Sequence, residues 1–184
     1  TGPLEPTNEG YALAKIAGYK LCFYLSRQYG WNTVSLMPCN LYGTNDNYDP
    51  ENSHVFPAFV RRFVTAAREN KTEEVLWGTG APLREFLHVD DVANAVYYFM
   101  QNHNDPEVVN IGSGSDITIR ELAGKIAAAA GFRGEIRWDA SRPDGMYRKL
   151  MDSSKARKLG WYPEISLEEG IERTVREYAD LKLS

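Results

Sequence analysis

Two hydrophobic periods alternate along this chain, and that alternation constrains its fold more than any single residue does. Apolar side chains recur at helical spacing through Tyr11, Ala14, Ile16, Ala17, Leu21, Cys22 and Leu25. A short continuous run, Thr33-Val34-Ser35-Leu36-Met37, follows and reads as a buried strand ended by Pro38. The same switch repeats downstream. Helical patterns are expected over residues 56–68, from Asp90 to about Asn102, from Thr118 to near Gly131, in a short stretch that Asp152 precedes and Gly160 ends, and from Leu167 to about Asp180. Extended runs are expected at 74–77, 84–88, 108–111 and 135–138. Strands alternating with helices define an α/β architecture with a parallel sheet.

Local signals place the ends of these elements. Asn8 can cap the first helix, and Gly30 stops it. Pro57 suits the first turn of its helix. Thr118 with Glu121, and Ser166 with Glu169, have capping-box spacing. Asp90 and Asp91 suit a helix N-terminus, where carboxylates favour the exposed amides and the dipole. Residues 40–54 read as a polar, turn-rich loop, and Gly78-Thr79-Gly80-Ala81-Pro82 and Gly112-Ser113-Gly114 as turns. No G-x-G-x-x-G run follows an early strand and opens a helix.

Composition narrows the function classes. A hydrophobic content of 43% with 25% charged residues is globular rather than disordered. The net charge of -4 supplies no general field for nucleic acid or an anionic membrane, so neither is expected as a partner. Cys22 and Cys39 are too few for a disulfide framework and read as small buried hydrophobes. Three scattered histidines give no zinc-ligand spacing, and no metal is expected. A cytoplasmic setting fits.

Tyr11 and Lys15 carry the first chemical signal. Their spacing puts them one turn apart on one helix face. An adjacent ammonium favours phenolate over phenol, which suits a tyrosine to proton exchange with a carbonyl oxygen. Taken alone the spacing is common on surface helices. Several other residues have two readings. His54 is either a proton carrier active near neutral pH or a turn residue. Arg62 and Arg84 can clamp paired phosphate oxygens or lie on solvated faces. Trp77 can stack on a base or fill a core. Asp152 can accept from ribose hydroxyls or cap the helix that follows.

The motifs together resemble the extended short-chain dehydrogenase/reductase family. Tyr11-Ala12-Leu13-Ala14-Lys15 resembles its Tyr-x-x-x-Lys signature. Pro38-Cys39-Asn40-Leu41-Tyr42-Gly43, Arg84-Glu85-Phe86-Leu87-His88-Val89-Asp90-Asp91 and Asn110-Ile111-Gly112 are similar to its later sheet segments. Asn52-Ser53-His54-Val55 and Arg142-Pro143-Asp144-Gly145 resemble the branch that epimerises and reduces a GDP-4-keto-6-deoxy-sugar with NADPH.

The resemblance implies roles. Tyr11, Lys15 and His54 would be catalytic. Tyr11, Lys15, Pro38, Cys39, Asn40, Leu41 and His54 would contact NADP(H). Arg62, Trp77, Arg84 and Asp152 would line the GDP-sugar site. Other nucleotide-sugar 4-epimerases or 4,6-dehydratases, or an inactive nucleotide-sugar-binding fragment, are the alternatives.

The resemblance also implies the C-terminal part of such an enzyme, a Rossmann-like parallel sheet plus a smaller substrate-binding lobe. The N-terminal cofactor-binding half is expected to be missing and to act as a partner, and a homodimer is expected. Residues 1–44 would belong to the Rossmann-like domain, 45–80 to the substrate lobe, 81–115 to the sheet again, and 116–184 to the second part of the lobe.

Overall fold

The computed structural model describes residues 2–181. A 3-10 turn at Pro6–Asn8 leads into α1 (Glu9–Tyr29). Gly30 ends α1 in the left-handed region at φ 69°, and its amide bonds the Ser26 carbonyl at 2.9 Å. That is the glycine stop expected from sequence. β1 (Leu36–Pro38) and β2 (Asn40–Tyr42) follow. Next come α2 (Val55–Arg68), β3 (Glu73–Trp77), β4 (Leu83–Arg84), β5 (Phe86–His88) and α3 (Val89–Asn102). The chain continues through β6 (Val109–Ile111), β7 (Ile117–Thr118), α4 (Ile119–Ala129) and β8 (Glu135–Asp139). It ends with β9 (Arg148–Lys149), α5 (Ser154–Lys158) and α6 (Leu167–Leu181).

The strands form three parallel pairs, β1 with β6, β2 with β5, and β3 with β8. A mixed three-stranded sheet, β7-β4-β9, completes the set. The loop expected at 40–54 gives up its first three residues to β2, because Asn40–Tyr42 find partners in Phe86–His88. The extended run at 84–88 divides between two sheets, with Glu85 at the break.

Two clusters hold these layers together. In the larger, α2, α4 and α6 pack on one another and bury Phe56, Val60, Phe63, Leu122, Ile126, Ile171 and Tyr178. The smaller gathers Leu87, Ala95, Phe99, Val109, Ile111, Ala156 and Trp161. Thr118 and Glu121 form the capping box on α4, so both orphan donors there are satisfied. Asp91 does not cap α3; its buried carboxylate accepts from the Glu164 and Ile165 amides at 2.9 and 3.2 Å. The side chain of His88 takes the capping bond from the Asp90 amide.

Two expectations are corrected. Parallel strand pairs with helices packed on them are already present within the described residues, and nothing in the structure shows a missing N-terminal cofactor-binding half. The structure therefore supports such a half neither as an absent part of the fold nor as a partner. The expected homodimer finds no support in this single chain. Among the described residues no helix is long and apolar enough to cross a membrane.

Candidate active site

In open parallel sheets, ligands bind beyond the carboxyl ends of the strands. Pro38 is the last residue of β1, Cys39 links it to β2, and Asn40 and Leu41 open β2, while Gly112-Ser113-Gly114 lies beyond the carboxyl end of β6, the partner of β1. Cys39 is tied in by its amide, which bonds the Ile111 carbonyl at 3.0 Å. Its thiol is pushed up to about 12 by burial and by the nearby Glu85 carboxylate, so it is a poor nucleophile. Asn40 is fixed by its side-chain amide, which donates to the Glu85 carbonyl at 2.7 Å. Pro38 and Leu41 are left facing solvent.

Tyr11 and Lys15 stand on an open face of α1, Tyr11 being 62% exposed. The Lys15 ammonium sits 5.4 Å from the Tyr11 ring centroid. The i, i+4 pair expected from sequence is therefore formed. α1 is tethered elsewhere, through Tyr19 to Glu107 and through Thr33 to the Cys22 carbonyl. No hydrogen bond, ion pair or ring contact joins Tyr11 or Lys15 to His54 among the described residues.

His54 precedes α2, in extended backbone, and is exposed. Its side chain makes no capping bond, so the imidazole is not consumed by the helix it opens.

The substrate candidates divide. The Arg62 guanidinium donates to Glu74 at 2.6 Å and to the Val75 carbonyl at 2.5 Å. It braces β3, the strand that ends in Trp77. Trp77 itself is 69% exposed, with the Arg142 guanidinium 5.0 Å from its ring centroid. Arg84 is half-buried and donates to the Leu83 carbonyl at 2.7 Å. A side-chain carbon at Gly145 would lie 3.2 Å from the Arg84 Nη2, so the glycine leaves the guanidinium room. Asp152 accepts from the Ser154 amide at 2.9 Å, which holds its carboxyl below the ordinary range. Its carbonyl takes a bond from Asn110 at 3.0 Å.

Sequence reasoning missed the fasteners around these groups. Asp144 accepts from the Thr79 amide at 2.9 Å and from the Thr79 hydroxyl at 2.6 Å. It pins the 142–145 segment, which follows a turn at 140–141, beside Trp77 and Arg84. Gly78, at φ 81°, permits that approach, since a side-chain carbon there would fall 2.4 Å from an Asp144 oxygen. The Arg142-Pro143-Asp144-Gly145 motif was visible in sequence, but its target was not.

An exposed Tyr-x-x-x-Lys pair on a helix, with a loop beyond a parallel strand end, is the arrangement of a nucleotide-dependent short-chain dehydrogenase/reductase. A family profile described as the NAD dependent epimerase/dehydratase family matches residues 1–112, and the chain belongs to that family. It is 54% identical over 184 residues to a protein of Oryza sativa subsp. japonica described as a probable GDP-L-fucose synthase 1, covering 100% of this chain and 56% of that protein. It is 50% identical to the GDP-L-fucose synthase of Escherichia coli (strain K12), covering 97% of this chain and 59% of the relative. A crystal structure of a GDP-L-fucose synthetase from Naegleria fowleri bound to NADP superposes with a TM-score of 0.91 at 28% identity, covering 100% of this chain and 59% of that one. The chain thus spans between half and two thirds of the length of each of these proteins.

Proposed function

We propose that this chain works in the NADPH-dependent epimerisation and reduction of GDP-4-keto-6-deoxy-D-mannose to GDP-L-fucose. The observation that carries the reading is identity of 54% along the whole chain to a protein described as a probable GDP-L-fucose synthase, together with the open Tyr11–Lys15 face.

Bound NADPH supplies the hydride. The chain's own residues handle protons and position the sugar nucleotide. A 4-keto group acidifies the neighbouring C–H bonds. His54 removes or returns a proton there, with its imidazole free of the helix it precedes. Tyr11 gives its hydroxyl proton to the 4-oxygen as the carbonyl is reduced, and the Lys15 ammonium stabilises the phenolate left behind.

Residues of this chain fit the dinucleotide. Pro38, Cys39, Asn40 and Leu41 lead from the carboxyl end of β1 into β2, the end at which a parallel sheet binds ligands, with Asn40 held rigid by Glu85. Lys15 and His54 complete that contact. Arg84 keeps its charge although burial lowers its pKa, and it meets the pyrophosphate. Trp77 offers an open ring face to the base or sugar. Asp152 accepts from ribose hydroxyls. Arg62 contributes chiefly by bracing β3. The working compartment is the cytoplasm.

The test is consumption of NADPH by the chain with GDP-4-keto-6-deoxy-D-mannose, with the product identified. Formation of GDP-L-fucose supports the reading. Reduction without epimerisation at the two neighbouring carbons removes the role given to His54. Binding of the sugar nucleotide with no chemistry removes the assignment of Tyr11 and Lys15.

A further inference from the structure

Glu85 sits at the break between β4 and β5 with none of its surface exposed. A carboxylate that deep is costly unless donors surround it. Three do. Oε1 accepts from the Gly114 amide at 2.6 Å and from the Ser113 hydroxyl at 3.4 Å. Oε2 accepts from the Met151 amide at 3.1 Å. The fit leaves no slack, since a side-chain carbon at Gly112 would lie 2.4 Å from Oε1.

The placement matters more than the count. Arg84 precedes Glu85 in the chain, and Asp152 follows Met151. β9 already runs beside β4, with Lys149 opposite Arg84. The Glu85 carboxylate extends that pairing by one more tie, at the point where the chain leaves β9 for Asp152. The same residue's carbonyl accepts from the side-chain amide of Asn40, at the start of β2.

We propose that Glu85 is a positioning residue: its carboxylate locks the segment bearing Asp152, and the turn at Gly114, to the strand bearing Arg84, and so sets the affinity of the site for a GDP-sugar. The affinity part rests on the reading given under Proposed function. The lock itself does not.

Glu85→Gln is the sharpest probe. It keeps the size of the side chain but replaces one acceptor oxygen with an N–H donor. Both flanks present backbone N–H groups, so either orientation of the amide sets a donor against a donor. Hydrogen exchange should then rise about tenfold or more at whichever of Gly114 and Met151 faces the new NH2 group, as expected for a lost charge-assisted bond. The dissociation constant for GDP, measured by calorimetry where circular dichroism shows the variant folded, should rise by about tenfold.

Unchanged exchange at both Gly114 and Met151 overturns the lock. Faster exchange with an unchanged GDP constant overturns the positioning role, because a merely structural residue loosens the fold without altering the affinity of folded molecules. If the unsubstituted chain shows no GDP affinity, the GDP-sugar reading fails and the affinity claim with it, while exchange still judges the lock. If Glu85→Gln does not fold, the unsubstituted chain decides. Its Gly114 and Met151 amides should exchange slowly and together; rates typical of an open loop at either amide overturn the proposal.

Discussion

α1 and α2 make an instructive pair. α1 is the longer, at 21 residues, and buries none of them. α2 has 14 and buries seven, Phe56, Pro57, Phe59, Val60, Phe63, Val64 and Ala66. Both are rich in apolar side chains, so content does not separate them. Arrangement does. In α2 the pattern Phe56, Val60, Phe63, Val64 falls on one stripe, which meets α4 and α6. In α1 Leu13, Ile16, Leu21 and Tyr24 share one side and stay exposed, while Tyr19 and Leu25, only half-buried, lie on other sides, so no single stripe gathers the apolar residues. The helix without a coherent stripe is also the one that carries Tyr11 and Lys15. Structure is concentrated in α2, and candidate chemistry in α1.

Paired truncations would break that contrast if it is wrong. Phe63→Ala removes a fully buried ring packed against Phe59 and Phe132, and should cost about 3–5 kcal/mol in urea unfolding. Leu21→Ala, at 60% exposure, should stay within about 0.5 kcal/mol. Comparable losses at both positions would mean that α1 packs as firmly as α2.

Tyr11→Phe reverses the pair. It should leave the unfolding midpoint unchanged, because among the described residues no hydrogen bond ties the hydroxyl to another group. Turnover of the 4-keto sugar nucleotide should fall by about 100-fold or more, since a general acid is lost. A turnover drop matched by an equal loss of stability would place Tyr11 with the structural residues of α2 instead.

The sequence was most legible where its signals were local. Gly30 stops α1, and Thr118 with Glu121 opens α4, because caps act within one turn. The Tyr11–Lys15 pair was readable for the same reason. Reading failed where a partner lies far along the chain. Asn40–Tyr42 looks like loop until Phe86–His88 pairs with it. Arg62 has the chemistry of a phosphate ligand, yet the structure ties it to Glu74 and Val75. Asp91 has the position of a helix cap and instead reaches the Glu164 and Ile165 amides. Glu85 drew no attention because its partners, from Ser113 to Met151, lie 28 to 66 residues away. Periodicity gave the elements; only the fold shows which polar side chains serve the site and which serve the scaffold.

The capping box offers a smaller test of how local signals add to α4, which packs against α2. Thr118→Ala removes the hydroxyl that accepts from the Glu121 amide at 3.1 Å, and should cost about 1 kcal/mol in urea unfolding. Ser166→Ala should cost somewhat less at the start of α6. There the Glu169 amide bonds the Ser166 hydroxyl at 3.2 Å, while the Glu169 carboxylate pairs with Arg173 instead of closing the box. Equal costs would mean that the reciprocal half of the box adds nothing.

The smallest effect is expected at the exposed fastener, Asp144, and its sign follows from its bonds. The Thr79 hydroxyl, then the Thr79 amide, hold this carboxyl below the ordinary range. A depressed folded pKa means that the tie is fully present above the ordinary carboxylate value of about 3.9. It is lost as pH falls through the lower, folded value. The Thr79 amide resonance should therefore titrate with a midpoint below that of a free aspartate, and Asp144→Asn should abolish the titration. Because Asp144 is open to solvent, the change in global stability should be too small to resolve, unlike that of Phe63→Ala. If the Thr79 amide instead titrates at the ordinary value, the 142–145 segment is not fastened at Thr79. Arg142 would then reach Trp77 only transiently, and the ring would be open to a ligand on both faces.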